Sequence, residues 1–460
     1  MNVRCMTGLA GLVFLLFVGC TDKGDKKQTT QFQVPVHYYE LDNGLKVILS
    51  PDHTSPTAIV AVYYNIGFRL EPKDRTGFAH LFEHMMFQGS KNLGKMEFIK
   101  LVQENGGVLN GSTRFDFTNY FEIVPSHKLE TVLWAEADRM RGLDISQENL
   151  ANQQGVVKNE VKVNVLNQPY GGFPWLDMPQ YANTNWYNAH NFYGDLQDLD
   201  AANLEDVAAF FKTYYAPNNA ALSVVGDFDT EQAKAWISEY FGGIPSAELP
   251  EKPDISETKQ LEEKHFVKND SLANKPALAI AYHMPDRNTA DYYAMGLLDQ
   301  ILLQGDNSLL VQKLENEKGY TADVNGGINY LGNMFNYKGP MLWMFDFTYD
   351  KETSQEDLLV AVDEVMENLK NTISQELIDQ AVVKLRSNLY DNIGGTFGLG
   401  RADLLCSFAL FDNDPERINT LEEEFEDISP EQLLKTTEEY LRNTNRTILR
   451  LNPLLAENEK

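Results

Sequence analysis

Cysteine is scarce in this sequence. Cys5, Cys20 and Cys406 are the only three in 460 residues, which excludes a small disulfide-stapled framework. Cys406 sits among Leu404, Leu405 and Phe408 and reads as a packing residue, not a nucleophile. Basic residues are also in deficit, 39 Lys and Arg against 67 Asp and Glu for a net charge of -28. That balance argues against nucleic acid, whose phosphates require a basic surface. The apolar run at residues 9–18 is too short to span a bilayer. The glycine-rich stretch at 394–400 lacks the Lys-Ser/Thr of a phosphate loop. No Ser/His/Asp or Cys/His constellation stands out. What remains is a chain with 43% hydrophobic and 11% aromatic residues, long enough for two domains with cores of their own.

The N-terminus reads as a leader. Arg4 precedes the apolar run, which ends in Gly19-Cys20. Leu16-Phe17-Val18-Gly19-Cys20 resembles a bacterial lipobox, with Phe17 in the place usually held by Leu. The expected boundaries are a lipoprotein signal peptide at 1–19, acylation of Cys20 and a flexible tether at 20–33. Cys406 would then be the one free thiol of the mature chain. This places the protein in a bacterial cell envelope, held to a membrane through its lipid. Thr21 does not resemble an inner-membrane retention signal, so the outer membrane is expected, on its periplasmic or surface face.

Along the chain, residues 36–65 read as a hairpin, turned at Asp42-Asn43-Gly44, and a further strand. Residues 108–125 alternate as a strand pair at a sheet edge. Helical patterns cover 127–141, 147–166, 203–215 and 230–241, with a strand at 220–225. Residues 246–270 are rich in Pro, Glu, Lys and Ser and read as a linker between a domain at 34–245 and another at 271–460. Both halves end in helix, tyrosine, paired asparagines and an apolar strand: 204–225 and 433–451. The fold class expected is α+β, two related domains, each a mainly antiparallel sheet packed with helices.

The chemistry concentrates at His80, Glu83 and His84, within Gly77-Phe78-Ala79-His80-Leu81-Phe82-Glu83-His84-Met85-Met86-Phe87. So apolar a setting predicts a buried helix. His80 and His84, four apart, project from one helix face and suit two corners of a zinc tetrahedron. Glu83 beside them is placed to take a proton from water. Zinc needs a third protein ligand and an open position. Glu71, Asp74 and Glu97 are the nearby acidic candidates in sequence.

The run from Gly77 to Gly89 is similar to the signature of the pitrilysin/insulinase-like zinc metallopeptidases, with the inverted His-x-x-Glu-His order. The chain looks closest to the two-domain branch that includes mitochondrial processing peptidase and bacterial relatives. Asp42-Asn43-Gly44-Leu45, Gly106-Gly107-Val108-Leu109-Asn110-Gly111-Ser112-Thr113 and Tyr215-Ala216-Pro217-Asn218-Asn219 fall where that family has them. The resemblance implies one zinc held by His80, His84 and Glu160, with Glu83 as general base for peptide hydrolysis. It implies peptide binding along an edge strand at Asn110, Gly111 and Ser112.

Two departures stand out. Gln153 occupies a position where the family often has a second Glu that supports the site. Glu315 and Ala322 stand where single-chain members carry an Arg and a Tyr that help hold the substrate carbonyl. This implies a heterodimer whose homologous non-zinc partner supplies the Arg/Tyr half, a homodimer being the runner-up. The rival reading is a non-catalytic scaffold or a peptide-binding subunit of the same fold.

Overall fold

Among the described residues eleven strands form two sheets, one from each half of the chain. The computed structural model describes residues 33–395 and 398–454. The leader, the acylation of Cys20 and all but the last residue of the tether lie outside the described residues.

The first sheet has the order β1-β2-β6-β3-β5-β4: β1 (His37–Glu40), β2 (Lys46–Pro51), β3 (Thr57–Tyr64), β4 (Val108–Thr113), β5 (Thr118–Pro125) and β6 (Ala220–Gly226). The second has the order β7-β11-β8-β10-β9: β7 (Lys264–Asp270), β8 (Ala277–His283), β9 (Asn325–Ile328), β10 (Leu342–Thr348) and β11 (Arg446–Pro453). All pairings are antiparallel except β2 with β6 and β7 with β11. Leaving out β1, the two sheets match strand for strand, including the place of the single parallel pair. The two halves are related α+β domains.

The span 246–270 differs from its reading as a linker. It ends in β7, an edge strand with one face open to water. Lys264, Phe266, Lys268 and Asp270 are half-buried and alternate with exposed His265, Val267 and Asn269. A half-exposed edge strand carries a hydrophilic composition, so composition alone does not separate it from a loop.

Strand alternation sends Val60, Val62, Leu222 and Val224 to one side of the first sheet, against Phe78, Phe82, Leu133 and Ile237. Four helices on this side matter below: α1 (Phe78–Met85), α2 (Glu97–Glu104), α3 (Leu129–Arg141) and α4 (Gln147–Val161). The opposite face, with Ile59, Ala61, Tyr63 and Ala221, is covered by a helix of the second half, Leu399–Phe411. Its Cys406 thiol is buried and donates to the carbonyls of Ala61 at 3.9 Å and Ala221 at 3.8 Å, in keeping with a packing role. The cover is reciprocal. Phe173, Met178 and Ala182 of the first half pack on Ala279, Ala281, Met344 and Leu449 of the second sheet. Each half therefore buries apolar surface that the other would leave wet, at roughly 25 cal/mol per Å².

Candidate metal centre

The helix α1 carries three of the polar residues. It begins at Gly77, which has φ 81° and offers no side-chain cap. Glu71 supplies the cap instead. Its buried carboxylate accepts from the backbone N–H of Gly77 at 2.8 Å and of Ala79 at 2.6 Å. A carboxylate there satisfies orphan donors and complements the helix dipole. A Cβ on Gly77 would lie 2.5 Å from the carbonyl oxygen of Tyr193, so only glycine allows the 193–194 segment this close. That approach delivers Tyr193 to the site.

The Nε2 atoms of His80 and His84 are 3.3 Å apart. Glu160 Oε2, from α4, lies 3.7 Å from the first and 3.2 Å from the second. Zinc bonds of about 2.0–2.2 Å in a tetrahedron set ligand atoms about 3.4 Å apart, and the three separations bracket that value. Among the described residues this is the one group of three or more His, Cys, Asp or Glu side chains able to hold a metal ion. Two imidazole nitrogens and a carboxylate oxygen converging on one point fit the donor set of zinc. Immediately after Glu160 and Val161, α4 continues as a π-helical turn, Lys162–Leu166, an irregularity that recurs at functional sites.

Burial, then the neighbouring His84, pushes the His80 ring down to about 4. It is thus neutral near pH 7 and keeps a lone pair for a metal. Glu160 is held below its ordinary value, first by its hydrogen bond with His84. Its other oxygen accepts from Tyr193 Oη at 3.3 Å. Glu83 moves the opposite way, raised by burial and partly offset by the hydrogen bond it accepts from Thr113 Oγ1 at 2.8 Å. Of two half-buried carboxylates, one is held toward the anion and the other is raised toward proton exchange, the division expected of ligand and base.

A pH consequence follows for the metal-free protein. The folded-state value of His80 lies below the unfolded value near 6.5, so its contribution to stability is complete above that pH. It is lost as pH falls toward 4, where the deficit reaches roughly 3 kcal/mol. Chelator-treated protein will show a falling urea midpoint across this window. A His80→Gln variant will show a shallower fall.

The remaining sequence candidates separate. Glu71 caps α1. Glu97 accepts from the backbone N–H of Gly94 at 2.7 Å, and Asp74 is an exposed partner of Arg75. Gln153 lies on α4 ahead of Glu160, but its amide donates to Asn152 at 2.8 Å, not to the site. Asn110, Gly111 and Ser112 lie on β4 at the free edge of the sheet. A Cβ at Gly111 would come 3.3 Å from Glu83 Cγ, so the edge strand runs directly against Glu83. Glu315 Oε1 accepts from Val324 N at 2.8 Å, a local structural bond, and Ala322 is exposed.

Sequence reasoning missed Glu71 as a cap, Tyr193 as the anchor of Glu160, and an aromatic wall around His80. That wall is Phe192 at 4.8 Å and Tyr193 at 5.2 Å between ring centres, backed by Trp175. The clustering of Trp175, Phe192 and Tyr193 between Gly172 and Gly194 was the available signal.

The description Insulinase (Peptidase family M16) matches residues 46–185, and Peptidase M16 inactive domain matches residues 201–385. The zinc protease PqqE of Helicobacter pylori is 26% identical, over 98% of this chain and 99% of its own length. The mitochondrial-processing peptidase subunit beta of Rattus norvegicus is 22% identical over 94% and 88%. The crystal structure of a protease from Helicobacter pylori superposes with a TM-score of 0.83 at 25% identity, covering 92% of this chain and all of that one. That of a peptidase M16 inactive domain from Pseudomonas fluorescens gives 0.79 at 19% identity, over 92% and 99%.

Proposed function

The chain belongs to the pitrilysin/insulinase-like peptidase family, and from that premise we propose that it is the zinc-bearing subunit of an endopeptidase. The observation that carries the reading is the convergence of His80 Nε2, His84 Nε2 and Glu160 Oε2 within 3.7 Å of one another, with Glu83 on the same helix. Zinc held there would polarise a scissile carbonyl and acidify the attacking water. Glu83, oriented by Thr113, accepts that water's proton and returns it to the leaving amine. Tyr193 fixes Glu160, and Glu71 fixes the start of the helix that carries both histidines. An extended peptide adds to β4 and takes main-chain hydrogen bonds along Asn110, Gly111 and Ser112.

The substrates are peptides or unfolded segments able to reach an edge strand beneath the second half. With Glu315 and Ala322 in place of Arg and Tyr, a homologous partner subunit completes the site. The protein acts at the bacterial envelope, anchored through Cys20. No helix among the described residues is long and apolar enough to cross a membrane.

The test is metal content and cleavage of a quenched peptide library by the chain from Thr21 onward, alone and mixed with a related subunit lacking the His-x-x-Glu-His motif. About one zinc per chain and cleavage only on mixing is the expected result. Zinc with full cleavage by the chain alone removes the partner from the reading. The match of 201–385 to a domain described as inactive favours, as second reading, a non-catalytic subunit. Absence of both zinc and cleavage would establish that one.

A further inference from the structure

The edge strand has a second face. Gly111 and Thr113 turn toward α1 and Glu83. Strand alternation sends Ser112, and Arg114 just beyond β4, to the other side, where both line a cavity of about 450 Å³ between the two halves. Its walls include Asn119 of β5 and, from the second half, Asn333, Asp391 and Asp403. A peptide added to β4 places alternate side chains on the two faces. One set points toward the zinc ligands, and the other over this cavity.

The charges in the cavity are not equivalent. Asp403 is fully occupied. Tyr63 Oη donates to one oxygen at 2.8 Å, and Asn333 Nδ2 and Asn336 Nδ2 donate to the other at 3.0 and 3.4 Å. Asp391 is exposed to water at the rim. Ser112 Oγ donates to Asn119 Oδ1, so the Asn119 amide hydrogens are left uncommitted among the described residues. Arg114 is half-buried. Among the described residues its guanidinium makes one hydrogen bond, a long contact of 3.4 Å to the carbonyl of Thr113, and no carboxylate oxygen lies within ion-pair distance of it. A half-buried guanidinium that makes no direct ion pair, and acts on Asp403 and Glu83 only at longer range, keeps its donor fork for a carboxylate.

We propose that this cavity is a specificity pocket of the peptidase, in which Arg114 selects substrates carrying an acidic side chain next to the residue that faces the zinc ligands. The assignment rests on the peptidase reading. Among the described residues Arg114 makes no hydrogen bond to Glu83 and acts on it only through its charge. It positions the peptide along β4 by pairing with one side chain, and Asn119 supplies a further donor.

The test reads binding separately from turnover. Fluorescent peptides of one scaffold, with Glu, Gln, Lys or Leu at each successive position, are titrated against the Glu83→Gln protein. At one position Glu will bind about tenfold tighter than Gln, as for a charge-assisted hydrogen bond replaced by a neutral one. Arg114→Gln will abolish that difference, Arg114→Lys will keep part of it, and Arg114→Glu will turn the preference to Lys. Peptides that bind with no difference between Glu and Gln, or with Lys preferred by the parent chain, overturn the pocket assignment and leave the peptidase reading standing. An acidic preference that depends on Arg114, in a protein that binds no zinc and hydrolyses nothing, supports the pocket and overturns the peptidase reading instead.

Discussion

Glu83→Gln will keep its zinc and lose peptide hydrolysis by about 10²–10⁴-fold, the range that a positioned general base contributes. The amide has the shape of the carboxylate and still accepts the hydrogen bond from Thr113 Oγ1, so the helix and both imidazoles stay in place. What is lost is the group that accepts a proton. Burial raises Glu83 from its ordinary value, in the direction that suits a group that both takes and releases a proton. Metal analysis and initial rates on one peptide, measured on the same preparations, decide the matter. A variant that holds zinc and turns over within about threefold of the parent, far short of the 10² expected, would remove Glu83 from the chemistry.

The second large effect is on stability and comes from beneath the site. Arg139 of α3 is wholly buried with Glu122 of β5 and Glu136 of its own helix. Its NH2 group lies 3.1 Å from Glu122 Oε1, and its guanidinium carbon is 3.9 Å from the Phe98 ring centre. Tyr120, also beneath the guanidinium at 5.0 Å, donates from Oη to the carbonyl of Phe82 in α1 at 3.1 Å. The cluster is thus part of the floor on which the histidine helix rests. Arg139→Met fills much of the volume but leaves two buried carboxylates with no cation. Glu122 is already pushed well up by burial and then by Glu136. Breaking a buried ion pair from one side costs about 3–5 kcal/mol, which urea titration will read as a lowered midpoint. Adding Glu122→Gln and Glu136→Gln to the same variant will recover part of the loss, because the unpaired charges go with them. A loss under about 1 kcal/mol would place the triad in the class of solvated surface pairs.

The sequence by itself determined the helix that carries His80, Glu83 and His84, because a four-residue repeat inside an apolar run has one helical solution. A continuous β-branched and aromatic run did the same for β3, and strand alternation for β5 and the edge strand at Asn110, Gly111 and Ser112. The sequence singled out Glu160 only through a resemblance, since nothing local distinguishes that carboxylate from its neighbours. The tertiary structure decided the rest. It brought Glu160 within 3.7 Å of both imidazoles, gave Glu71 to the helix start, and set Tyr193 against Glu160 through a glycine contact far away in sequence. It left Gln153 bonded to its neighbour Asn152 instead of to the site. It also closed each sheet with an element from the other half, and so formed the cavity behind β4. Periodicity reports which face of an element is apolar. It carries no information about which distant element will cover that face, and a candidate metal centre shared between helices depends on that choice.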